Sequence, residues 1–174
     1  MKTIRFLLIF FAALVLLTNS AAAQKRKPGV KRTTPKVTTP VAFTTDLNSA
    51  KEKVSNQITN VTRFNGALGP IAQGIEDLDT HAKTKRIDKK AYDLNEANKR
   101  KVIQAIRNLR AGLAALEVEF RTKPALKRFL LKIQGITDLS AQSEDAALAG
   151  RFTESGKPLL LVVEKLSNTL AVMP

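Results

Sequence analysis

The feature that most constrains this 174-residue chain is a run of large apolar residues separated alternately by four and three positions. The run consists of Val102, Ile106, Leu109, Leu113, Leu116 and Phe120. Because an α-helix turns once every 3.6 residues or so, this spacing places all of them on one helix face. We therefore expect a helix over about 92–121, roughly 45 Å long, that buries this face against other helices.

The segments on either side carry the same helical pattern. Apolar residues recur every seven positions over 47–82, and further apolar helix faces occur over 126–136 and 159–173. Pro70 interrupts the first of these segments. The segment is therefore either one helix kinked at the proline or two helices, with Pro70 in the first turn of the second.

Residues with strong preferences for helix ends suggest where the helices begin. Asp93 and Glu96 have the spacing of a capping box, which predicts a helix start close to them. Lys123-Pro124 and Lys157-Pro158 each predict the opening of a further helix, since proline is well accepted in a first turn. Gly135 either ends the helix that follows Pro124 or lies inside it.

The fold class follows from these patterns. The strongly basic stretch 83–92 is weakly apolar, and we place the turn between the first two long helices somewhere within it. No run alternates with a period of two, so we expect essentially no sheet. Residues 43–174 are therefore predicted to form an all-α, up-and-down bundle of four to five helices.

Residues 1–23 have the three parts of a secretory signal peptide. Basic residues precede an uncharged apolar run at 6–17, which is shorter than the roughly 20 residues needed to span a bilayer. Three alanines then end at Ala23. We expect cleavage there, and a mature protein that begins at Gln24 and is periplasmic or secreted. The alternative is an uncleaved membrane anchor.

Residues 24–42 are predicted to be a disordered basic linker, rich in threonine and proline. They hold six basic residues and no acidic one. Pro28, Pro35 and Pro40 disfavour helix, and the few apolar side chains cannot offset the entropy lost on ordering. We expect a cationic arm between the signal peptide and the bundle.

Positive charge is the most unusual property of the composition, with a formal net of +14 at pH 7. Outside the linker it is concentrated over 83–132, where fifteen basic and five acidic residues give +10. The flanks 43–82 and 133–174 are each −2. Such a distribution predicts attraction to polyanions. The alternative is that the charge only keeps the protein soluble.

The candidate anion-contacting residues are drawn from the linker and from this basic stretch. They are Lys25, Arg26, Lys27, Lys31, Arg32, Lys83, Lys85, Arg86, Lys89, Lys90, Arg100, Lys101 and Arg107. Lys127, Arg128 and Lys132 would extend the patch if the helices that carry them are adjacent.

No combination of residues points to catalysis or to a bound metal or cofactor. The chain has no cysteine, which excludes thiolate zinc sites and c-type haem attachment. His81 is its one histidine, whereas di-iron bundles need two Glu-x-x-His pairs. Nucleophile-elbow and phosphate-loop motifs are absent too. We therefore predict no catalytic residues, no metal and no cofactor.

The sequence thus predicts an exported, non-enzymatic helical bundle that acts through protein or cell-envelope surface contacts. The candidate partners are an anionic envelope surface and an acidic protein. Nucleic acid is not favoured, because the aromatic residues are too scattered to form a base-stacking platform. The alternatives are a chaperone-like or small-ligand-binding periplasmic bundle, and an enzyme whose site has no recognisable motif.

Overall fold

The structure is a computed structural model that describes residues 40–84 and 87–174. All of these residues fall within one compact unit, Thr38–Pro174. Most are helical and none of those described is in a strand, so the predicted all-α class is confirmed. The predicted signal peptide, and the linker up to residue 39, lie outside the described residues.

Five α-helices and one 3-10 helix make up the described chain. They are α1 (Pro40–Thr84), α2 (Lys89–Thr122), the 3-10 helix (Lys127–Phe129), α3 (Leu130–Ile133), α4 (Ile136–Leu148) and α5 (Phe152–Ala171). Because α3 is a single turn, the bundle is built from four longer helices, which roughly agrees with the predicted count. The predicted turn within 83–92 corresponds to the break between α1 and α2.

The four longer helices form a ring in which α1 and α4 each pack against both α2 and α5. Contacts between side chains give the directions of the helices. Lys53, early in α1, pairs with Glu119, late in α2, at 2.8 Å. Thr137, at the start of α4, donates to Glu117, which is also late in α2. Both pairs of helices therefore run antiparallel.

Helix α1 continues for 45 residues through Pro70, so the structure has one helix where the sequence allowed one or two. The proline has no N–H to donate to the carbonyl of Gly66. Both residues are exposed, so water can reach this carbonyl. The helix begins at Pro40, within the predicted linker, because a proline in a first turn removes no helical hydrogen bond.

Helix α2 buries the face that its sequence predicts. The fully buried members of the apolar run are Val102, Ile106, Leu113, Leu116 and Phe120, while Leu109 is half-buried. The predicted capping box is wrong, however. The helix starts at Lys89, so Asp93 lies one turn inside it and pairs with Lys89 at 2.9 Å.

Neither proline pair opens a helix in the predicted way. Helix α2 does end before Lys123-Pro124, but a turn and the 3-10 helix follow, and α3 then stops close to Gly135. The φ angle of Gly135 is 88°, in the left-handed region that a residue without a Cβ atom adopts easily. Pro158 is an interior residue of α5, which begins six residues earlier at Phe152.

The physical reason for these helix starts is that two glutamates cap α4 and α5 from neighbouring helices. Glu117 of α2 accepts hydrogen bonds from the N–H groups of Gly135 (3.1 Å) and Thr137 (3.2 Å) and from the Thr137 hydroxyl (2.8 Å). Glu76 of α1 accepts from the N–H and hydroxyl of Thr153, both at 2.8 Å. These carboxylates satisfy N–H groups that have no helical partner, at the helix end that favours negative charge.

After Glu76, the last part of α1 and the first part of α2 form a helical hairpin that buries few side chains. We call this part of the bundle, residues 77–84 and 87–101, the hairpin end. Asn95 is the one fully buried residue among those described over 77–101. Its amide donates to the Asp79 carboxylate at 2.8 Å and to the main-chain oxygen of Ile75 at 3.3 Å. Lys99 pairs with Asp79 at 2.6 Å. Polar contacts therefore take the place of an apolar core in this hairpin end.

Replacing Glu117 with glutamine tests the cap of α4. Burial by itself raises the pKa of the Glu117 carboxyl, but hydrogen bonds from Gly135 and Thr137 outweigh it and hold the pKa below its ordinary value. In Glu117→Gln, an amide nitrogen would face these donors. We expect the free energy of unfolding at pH 7 to fall by about 1–2 kcal/mol, measured by urea denaturation.

The pH dependence gives a second readout of the same cap. A carboxyl whose pKa is lowered by folding stabilises the protein above its unfolded value of about 4.3, and this contribution is lost as the pH falls through the folded pKa. The gap between wild type and Glu117→Gln should therefore shrink below about pH 4. Glu164→Gln, at an exposed position of α5, is the control. Equal losses in the two variants would contradict the capping role of Glu117.

Candidate functional site

The structure distributes the predicted anion-contacting residues over separate places. Lys25, Arg26, Lys27, Lys31, Arg32, Lys85 and Arg86 lie outside the described residues. Lys83, Lys89 and Lys90 are exposed at the hairpin end. The hydrogen bond and the charge of Asp93 raise the pKa of the Lys89 ammonium group. One of these three cations, Lys89, is therefore already paired with an acidic residue.

Arg100, Lys101 and Arg107 lie further along α2 and are exposed, as their sequence positions predict. Arg107 also has a structural partner, because its Nε lies 2.6 Å from Oε1 of Glu144 on α4. Arg110 reaches the other carboxylate oxygen at 3.0 Å. The hydrogen bond from Arg107 leads the effects that hold the pKa of Glu144 below its ordinary value. This pair of arginines links α2 to α4.

Lys127, Arg128 and Lys132 do not extend the hairpin cluster. They follow α2 in the chain, and α2 runs the length of the bundle away from the hairpin. The stretch from Lys90 to Thr122 alone is roughly 48 Å long at about 1.5 Å per residue. The bundle therefore carries basic residues at both of its ends.

The second basic end is formed by Lys127, Arg128, Leu131 and Lys132, which we call the basic tip. These four residues lie on one face of the segment formed by the 3-10 helix and α3, and all are exposed. The opposite face is buried in the bundle through Phe129 and Ile133. Leu131 is 78% exposed, more than any other large apolar residue described. No cation of the tip forms an ion pair with a described residue.

Arg128 is held by aromatic rings. Its guanidinium carbon lies 4.6 Å from the centroid of the Phe129 ring and 5.9 Å from that of Phe43, in the first turns of α1. A shallow depression adjoins it, of about 380 Å³ and widely open to solvent. Its lining consists of Arg128, Phe129, Lys132, Val172 and Pro174. Such a depression can hold a charged group at the surface but cannot enclose a small molecule.

A network of ion pairs fixes the chain where it enters the tip. Lys123 bridges Asp46 of α1 at 2.8 Å and Glu119 of α2 at 2.7 Å. Its hydrogen bonds to Asp46 and Glu119 raise the pKa of Lys123. Burial alone raises the pKa of Glu119, but hydrogen bonds from Lys123 and Lys53 outweigh it and lower that pKa. The acidic residues closest to the tip in this network are therefore already neutralised.

The remaining candidate groups are His81 and the acidic side chains. His81 is exposed, and its Nδ1 lies 2.7 Å from the main-chain oxygen of Asp77. Over 40–84 and 87–174, no three histidine or acidic side chains are grouped so that they could hold a metal ion. In the same ranges, none of the helices combines the length and the apolar character needed to cross a membrane.

Sequence reasoning missed Leu131 and the two capping glutamates. Leu131 had a readable signal, because Lys127, Arg128 and Lys132 share its helix face while Phe129 and Ile133 define the opposite one. Glu117 had none, since its partners lie 18 and 20 positions away in the chain. Those contacts become visible only when the helices are assembled.

Fold and surface together define an all-helical bundle with a cationic, partly apolar end. The chain matches no family model, no curated protein and no solved structure.

Removing Arg107 tests whether this predicted anion contact holds the bundle together. Glu144 is largely buried, and Arg107→Ala would leave it with Arg110 alone. We expect the free energy of unfolding to fall by about 1 kcal/mol, measured by urea denaturation. Arg100→Ala removes an exposed cation from the same helix and should change it by less than about 0.5 kcal/mol. If the two variants lose the same stability, Arg107 has no structural role.

Proposed function

We propose that this protein is exported, and that it is a non-enzymatic helical bundle acting at an anionic surface of the cell envelope. The observation that supports the proposal is the placement of positive charge. The linker over 24–42 holds six basic residues without an acidic one, and the basic tip holds three cations without a carboxylate partner among the described residues.

The described chain begins close to the basic tip. The linker joins the described chain at Pro40, the first residue of α1. Phe43 lies beside Arg128, and Asp46 pairs with Lys123, so the start of α1 is next to the tip. The linker is therefore joined to the bundle beside the tip, and both sources of charge can act at the same surface.

The strength of such attachment can be estimated from the charges. Each basic residue held near an anionic membrane contributes about 1 kcal/mol. The Debye length is about 8 Å at physiological ionic strength, so the attraction is short-ranged and weakens as salt is added. The six basic residues of the linker therefore provide a reversible, salt-sensitive tether.

A chaperone-like role is the second candidate, and exposed leucines on α5 favour it. Leu160 and Leu161 are 58% and 49% exposed and adjoin each other. Exposed apolar patches commonly mark binding surfaces. If Leu160→Ser with Leu161→Ser abolished both the binding of an apolar dye and the protection of an unfolding client protein, this second function would be preferred.

Export is tested by determining the N-terminus of the protein after expression of the whole chain in a bacterium. We expect the periplasmic fraction to contain a form that begins at Gln24, identified by its intact mass. Ala23→Arg replaces the small residue that signal peptidase requires, so the uncleaved chain should accumulate in the membrane. An uncleaved wild-type chain in the membrane would instead support the anchor, and one in the cytoplasm would contradict export.

The tether is tested by neutralising the linker in a protein that begins at Gln24. Substituting glutamine for Lys25, Arg26, Lys27, Lys31, Arg32 and Lys36 should weaken binding to vesicles of phosphatidylglycerol and phosphatidylcholine. At low salt we expect a loss of at least about 100-fold. A linker with the same residues in shuffled order is the matched control and should bind normally, because attraction depends on charge and not on order. Absence of wild-type binding at low salt would refute the tether.

A further inference from the structure

We infer that the basic tip is itself a membrane-contact surface, on which the bundle stands end-on with Leu131 inserted among anionic lipid headgroups. This inference rests on the proposed function. It adds to that function a defined contact on the folded domain, separate from the linker.

The tip segment has two distinct faces. Phe129 and Ile133 point into the bundle, so the face that carries Leu131 has to point outward. Residues three and four positions apart are neighbours on a helical surface, so Leu131 lies beside both Lys127 and Arg128. Lys132 follows it directly in the chain. An exposed leucine is thus surrounded by cations on its own face.

This combination of an exposed leucine with cations suits the boundary between water and lipid. A leucine that is 78% exposed loses contact with water when it enters a bilayer interface, which is favourable. Lysine and arginine can lay their apolar stems along the same interface while their charged groups reach phosphate oxygens. Arg128 and Lys132 both line the shallow depression, where a headgroup phosphate can meet two cations.

The acidic residues are partnered differently at the two ends of the bundle. At the hairpin end, Lys89 is paired with Asp93, and Asp88 is exposed close by. At the tip, Asp46 and Glu119 are both engaged by Lys123. The cations of the tip have no acidic partner among the described residues, and Lys83 and Lys90, which are exposed and also unpaired among the described residues, supply matched control positions at the hairpin end.

Tryptophan fluorescence tests the insertion of Leu131, because the chain contains no tryptophan. Leu131→Trp and Leu160→Trp each introduce a single fluorophore at an exposed leucine, the second on α5 as the control. Both variants are made in the protein that begins at Gln24, which keeps every described contact. With vesicles of phosphatidylglycerol and phosphatidylcholine, we expect a blue shift and quenching by brominated acyl chains for Leu131→Trp alone.

Vesicle binding tests the cations of the tip. The triple variant Lys127→Gln, Arg128→Gln, Lys132→Gln is compared with Lys83→Gln, Lys90→Gln, Arg100→Gln, which loses the same charge from exposed positions elsewhere. We expect the tip variant to lose about 10- to 100-fold in affinity at low salt. The control should lose only a few-fold. Leu131→Ser, with all charges kept, should also weaken binding, and circular dichroism verifies that each variant is folded.

The outcomes separate this inference from the proposed tether. One outcome is that wild type binds while the two triple variants lose the same vesicle affinity and neither tryptophan emission shifts to the blue. In that case the bundle contributes only its overall positive charge to membrane binding. That result overturns the inference and leaves the linker as the tether. If wild type does not bind these vesicles, both are overturned, and capture of an acidic protein by the tip becomes the competing explanation.

Discussion

The bundle depends on two carboxylates that cap helices to which they do not belong. The N-cap residues of α4 and α5 make no capping bond of their own, so Glu117 and Glu76 provide the missing acceptors. In both helices the captured residue is a threonine that follows a buried apolar residue, Ile136 or Phe152. The first turns of α4 and α5 are therefore complete only when α1 and α2 lie beside them, which couples helix formation to packing.

The same arrangement determines the position of the basic tip. Glu117 holds the N–H of Gly135, where the chain turns from α3 into α4. At the other end of the segment, Lys123 is tied to Asp46 and Glu119. The tip is thus a short segment fixed at both ends to long helices. Its side chains are therefore presented in a set arrangement, although all four are exposed.

Sequence patterns predicted the features that depend on residue spacing within one helix. They missed the features that depend on how the helices pack together. The alternating four- and three-residue spacing of α2 predicted its buried face, because spacing within a single helix decides which residues share a face. The start of α5 was missed because its cap, Glu76, lies 77 positions before Thr153. The six candidate cations that the structure describes are exposed. Lys127, Arg128 and Lys132 do not extend the basic patch at the hairpin end, because α2 carries the chain to the opposite end of the bundle before it reaches them.

The hairpin end gives the molecule a gradient of stability along its length. Parting α1 from α2 near Asn95 exposes an amide and breaks a few polar contacts, whereas parting them near Phe120 exposes the apolar core. Opening of the hairpin therefore costs much less free energy than global unfolding, and its amide protons should exchange through sub-global opening. In a bundle attached by its tip, the end with the apolar core would face the surface. The hairpin end, which opens at a lower cost in free energy, would face the solution.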